Sequence, residues 1–138
     1  MYYSVRDFAD GIKDLKDLSD ASAWPPKKVV LEFIPAENDP ALSYMPTHLR
    51  IEGGIKDDSL LDAKVITLVE DSSAEENTLS WDDLSNVIAR KRSDKDFAFV
   101  IGDDVPEERA WLAGWEYDDE ARVLELSLQL IGADELWL

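Results

Sequence analysis

RAWLAGWEYDDEARVLELSLQLI, residues 109–131, carries two alternating runs around an acidic turn. In its second run Leu124, Leu126, Leu128 and Leu130 alternate with Val123, Glu125, Ser127 and Gln129. A period of two is the mark of a strand with one buried face. The first run alternates as well, with Ala110, Leu112, Gly114 and Glu116 on one side and Trp111, Ala113, Trp115 and Tyr117 on the other. Asp118-Asp119-Glu120 supplies the turn, so residues 109–117 and 122–131 are predicted to pair as an antiparallel hairpin. A hairpin this apolar needs a sheet around it and a layer over it.

Working outward, DFAFVI at Asp96–Ile101 predicts a further strand. Before it a helix starts at Ser80, where Ser80 and Asp83 stand at capping-box spacing and Trp81, Leu84, Val87 and Ile88 form an apolar stripe. Arg90, Lys91 and Arg92 follow at its C-terminal end and complement the helix dipole. AKVITLVE at Ala63–Glu70 and KVVLEFI at Lys28–Ile34 predict strands, the latter apolar enough for burial on both faces. Residues 48–52 predict a short strand, with Leu49 and Ile51 on one side and a turn or bulge at Gly53-Gly54. Residues 56–61 suit one helical turn, the proline-marked stretch 35–46 reads as a loop, and polar 71–78 reads as another.

The N-terminal helix is predicted over residues 4–19, where Val5, Phe8, Ile12, Leu15 and Leu18 recur at three- and four-residue spacing behind an N-cap at Ser4. The apolar tail Leu136-Trp137-Leu138 is expected to pack back on the fold. The order helix, strands, helix, strands predicts a single α+β domain over residues 1–138. Its sheet is antiparallel or mixed, of about five or six strands, with two helices over one face.

Charge narrows the function. The chain has 31 acidic and 14 basic residues among 138, a net charge of -17. The excess is uneven: residues 1–50 hold 6 basic and 8 acidic side chains, residues 51–138 hold 8 and 23. Such a field repels nucleic acid and anionic membrane and attracts basic proteins. The absence of cysteine removes disulfides, thiolate nucleophiles and cysteine-ligated metals. The opening MYYSVRDFADGIKD has neither the basic nor the apolar region of a signal peptide, and no apolar run reaches membrane-span length, so a cytoplasmic location is expected.

No catalytic constellation is legible. His48 is the single histidine, with no second histidine in the sequence to make a metal site and no local nucleophile motif to make a triad, which leaves a surface or hydrogen-bonding role. Neither a phosphate-cradling glycine loop nor a nucleophile elbow is present. The carboxylates placed best for a hard cation are Asp103, Asp104, Glu107 and Glu108 at a strand end. Neighbours along a strand point to opposite faces, so such doublets chelate poorly, and solvated turn charge is the plainer account. No cofactor is expected.

These observations point to an acidic protein-binding module, an inhibitor or immunity-type protein or DNA mimic that occupies a basic site on a partner protein. Contact is assigned to Trp111, Trp115, Tyr117, Asp118, Asp119 and Glu120, since aromatic anchors within an acidic field suit a basic surface. Core packing is the competing account of the three aromatics. Two alternatives stand beside it: within the same class, a dimeric chaperone or assembly adaptor whose homodimer interface is the aromatic strand or a sheet edge, and from another class, a carboxylate-based metal-binding protein or hydrolase centred on Asp103, Asp104, Glu107 and Glu108.

Overall fold

A computed structural model describes residues 2–34, 48–58, 62–88, 93–101 and 109–130. In chain order these form α1 (Val5–Leu18), a short 3-10 turn (Ala21–Ala23), β1 (Lys28–Ile34), β2 (Leu49–Asp58), β3 (Ala63–Glu70), β4 (Thr78–Leu79), α2 (Trp81–Ile88), β5 (Asp96–Ile101), β6 (Arg109–Asp118) and β7 (Val123–Leu130). The expected α+β class holds, with a mixed sheet and two α-helices among the described residues. The strand count does not: seven strands pair in the order β2-β3-β5-β6-β7-β1-β4. The additional strand is β4, which lies in the stretch read as polar loop and pairs antiparallel with β1 through Val29 and Val30. A two-residue strand carries too little alternation to be legible by period.

Two parallel pairings make the sheet mixed. β1 lies parallel to β7 over its full length, and β3 lies parallel to β5. Parallel neighbours require a crossover. Between β3 and β5 the chain runs through β4 and α2; between β1 and β7 it runs through most of the fold. The sheet also curls. Its two terminal strands, β2 and β4, approach each other, and an antiparallel bridge joins His48 to Glu76.

Both helices cover the same face. Val5, Phe8 and Ile12 of α1 and Trp81, Leu84 and Ile88 of α2 form one cluster with Phe97, Phe99, Ile66, Leu68, Val29, Leu31 and the leucines of β7. Leu124, Leu126 and Leu128 are fully buried and Leu130 nearly so, each contributing roughly 1.5–3 kcal/mol of hydrophobic stabilisation. Ser4 caps α1 as expected: its hydroxyl accepts the Asp7 N–H at 3.0 Å, and the Asp7 carboxylate accepts the Ser4 N–H at 3.0 Å. The stripe on α1 ends sooner than its spacing predicts. Leu18 is 86% exposed.

Three local expectations are corrected. Residues 56–58 continue β2 and do not form a helical turn, and the Gly53-Gly54 step is a bulge between Glu52 and Lys56, with Gly53 at φ +76° where only glycine sits without strain. β1 is buried on one face: Val29 and Leu31 are inside while Glu32 is exposed. The third concerns β6 and decides the geometry of the site.

Candidate partner-binding face

β6 does not alternate cleanly. Opposite β7, Leu112 pairs with Leu128 but Gly114 pairs with Ser127, so Ala113 is an additional residue in the ladder. A bulge of this kind moves every later side chain to the other face. Trp111 therefore lies opposite Gln129 on the outer face, whereas Trp115 and Tyr117 lie opposite Leu126 and Leu124 on the helix-covered face. The single aromatic row read from the sequence is split between two sides of the sheet.

Each half of the split row has a partner from the N-terminal segment. Beyond the Ala98–Trp111 pair β5 and β6 diverge, and Tyr3 inserts between them: its N–H donates to the Leu112 carbonyl at 3.0 Å and its carbonyl accepts the Phe97 N–H at 2.9 Å. Extended backbone sends consecutive side chains to opposite faces. Tyr2 stacks on Trp111 with centroids 5.5 Å apart, and Tyr3 meets Trp115 edge-on at 4.8 Å. Trp115 also abuts Phe8 and Gly11 of α1. Tyr117 contacts the Trp24 ring and donates its hydroxyl to the Ala23 carbonyl, and burial pushes its phenol above the ordinary value.

On the outer face Trp111 packs with Val100 against Ala63, Val65 and Ala98, a small second cluster. Past the bulge this face turns acidic. Glu116 pairs with Glu125 across β6 and β7, and Glu32 of β1, one step diagonal, reaches Glu125 from the other side. Three carboxylates from three adjacent strands thus form a row. The Glu32 carboxyl shares a hydrogen bond with Glu125 when one of them is protonated; this contact first, then burial and the negative charges of Glu32 and Glu116, raises the Glu125 carboxyl above its ordinary value. Among the described residues no cation pairs with any of the three.

The acidic turn extends the row. Glu116, Asp118, Val123 and Glu125 line a shallow hollow of about 350 Å³. Asp118 also holds the turn, its Oδ1 accepting the N–H groups of Glu120 and Ala121 at 3.0 Å, while Asp119 and Glu120 stand exposed. Of the six residues assigned to partner contact, Trp111 and Asp118 share the outer face, Asp119 and Glu120 lie at its rim, and Trp115 and Tyr117 are turned toward the helices. Asp103, Asp104, Glu107 and Glu108 lie outside the described residues. Among the described residues no group of three or more acidic or histidine side chains is arranged to hold a metal ion.

Glu32, Glu116 and Glu125 were missed at the level of sequence. The alternation of β7 turns Glu125 outward, and Glu32 interrupts an otherwise apolar strand, but nothing local shows that β1 and β7 are neighbours. Compared with protein-family models, characterised proteins and solved structures, the chain matches none. The geometry defines an α+β protein whose outer sheet face runs from an aromatic end to an acidic end.

Proposed function

We propose that this protein is an acidic protein-binding module that occupies a basic site on a partner protein, as an inhibitor, an immunity-type protein or a DNA mimic does. The observation that carries the reading is the row Glu32, Glu125, Glu116. Like charges set across adjacent strands destabilise a sheet by roughly 0.2–1 kcal/mol per pair, and a row that no cation among the described residues pairs with is relieved by one that a partner brings. The net charge of -17 supports it, since a field of that sign steers basic proteins toward this surface. In this reading Trp111 anchors the apolar end, Asp118, Asp119 and Glu120 form the rim, and residues 1–138 act as one cytoplasmic domain whose partner is neither nucleic acid nor membrane. Among the described residues no helix is long and apolar enough to cross a membrane.

The test compares the immobilised protein with an E32Q/E116Q/E125Q variant in extracts of the native host. The parent is expected to retain a basic protein at low salt and release it at moderate salt, and the variant, still folded, to retain little. Retention that is equal for both proteins, or that does not respond to salt, would remove the glutamate row from the reading.

A further inference from the structure

A second feature lies on the opposite side of the molecule, between the two helices. Ala9, Ile12, Lys13 and Lys16 of α1 face Trp81, Ser85 and Ile88 of α2 across a cleft of about 380 Å³, with Trp24 closing one end. Its floor is apolar: Ile12, Trp81 and Ile88 are buried, and the Trp24 ring meets Trp81 edge-on at 5.6 Å. The size falls in the lower part of the roughly 300–1,000 Å³ range of small-molecule pockets.

The charged residues that line this cleft are both basic. Lys13 and Lys16 are exposed at positions one helical turn apart, which places both ammonium groups on the cleft side of α1. Acidic residues outnumber basic ones 31 to 14 in this chain, yet among the described residues neither lysine is in an ion pair, which leaves both ammonium groups open to a ligand. Asp10, Asp14 and Asp17 lie on the same helix but do not line the cleft. The charged side chains that line the cleft itself are the two lysines, and at physiological ionic strength negative charge farther away than about 8 Å is largely screened.

We infer that the cleft between α1 and α2 binds a small amphipathic carboxylate, its apolar body on Ile12, Trp24, Trp81 and Ile88 and its anionic head at Lys13 and Lys16. This site is separate from the glutamate row and does not depend on it. The probes are octanoate and octylammonium, equal in chain length and opposite in charge. They are titrated into ¹⁵N-labelled protein while the indole N–H signals are followed, with W24F, W81F and W111F identifying three of the five.

Octanoate is expected to shift the Trp24 and Trp81 signals saturably and to leave the Trp111 signal in place. Octylammonium, despite the overall charge, is expected to bind more weakly there. Removing both cations in K13Q/K16Q is expected to weaken octanoate binding by about five-fold, the size expected for the loss of two exposed charge contacts. Both lysines are exposed, so the variant keeps the fold, which far-UV circular dichroism checks. Octylammonium binding at the cleft as tightly as octanoate, or octanoate binding unchanged in K13Q/K16Q, would overturn the inference. Shifts that spread without saturation over all five indoles would do the same.

Discussion

Gly11 looks like a weak point in a helix when read in sequence, because glycine disfavours helix by about 1 kcal/mol relative to alanine. In the fold it is a point of close approach between α1 and the Trp115 side chain of β6. A Cβ at this position would meet the Trp115 indole, at 2.9 Å from Cε2 and nearer still to Cζ2. Trp115 has little room to yield, since Phe8 packs edge-on against it at 5.2 Å and Tyr3 at 4.8 Å. Overpacking of this kind costs about 1–3 kcal/mol, more than the helix propensity gained. Gly11→Ala is therefore expected to lower stability by about 1–2 kcal/mol, read as a lower urea midpoint at unchanged slope. A variant as stable as the parent would show that α1 shifts freely over Trp115.

At the scale of elements, the Ala113 bulge in β6 and the parallel pairing of β1 with β7 together create the outer face. The bulge leaves Trp111 outside and turns Trp115 inward; the pairing places Glu32 beside Glu125. A carboxyl raised in the folded state binds its proton more tightly than the unfolded chain does. Its stabilising contribution is complete below the unfolded value, near 4.5, and is lost as pH rises through the folded value, leaving repulsion at neutral pH. Glu125→Gln is thus expected to raise stability at pH 7 by roughly 0.2–1 kcal/mol, and the gain to vanish as the solution is acidified below the carboxylate range. Urea titrations at both pH values check this. A gain that persists in acid would mean that the glutamate destabilises through something other than its charge. The hairpin itself was legible because the alternation in β7 is unbroken; the facing of Trp111 was not, because one additional residue reverses a period of two without altering composition.

For the whole molecule, a net charge of -17 on a chain of 138 residues opposes compaction by self-repulsion. Sodium chloride is expected to raise the melting temperature by a few degrees between low and physiological ionic strength, as screening shortens the reach of that repulsion. Calcium or magnesium at matched ionic strength is expected to add nothing further. Scanning calorimetry separates the two, since a specific site would stabilise by mass action well beyond screening. An additional divalent effect would return weight to the carboxylate-based alternative at Asp103, Asp104, Glu107 and Glu108.

The amino-acid sequence by itself determined both helices of this protein, its longer strands and the sign of its field. The capping box at Ser4, the apolar stripes of α1 and α2, the alternation of β7 and the acidic excess are all properties of neighbours along the chain, and local backbone preference and side-chain chemistry suffice to read them. The tertiary structure alone decided which face each aromatic occupies, which glutamates stand together and where an apolar cleft meets two lysines. Those depend on a bulge, on pairings between residues more than ninety positions apart and on the approach of two helices. Such contacts follow from the packing of the chain as a whole, and no window of sequence contains them.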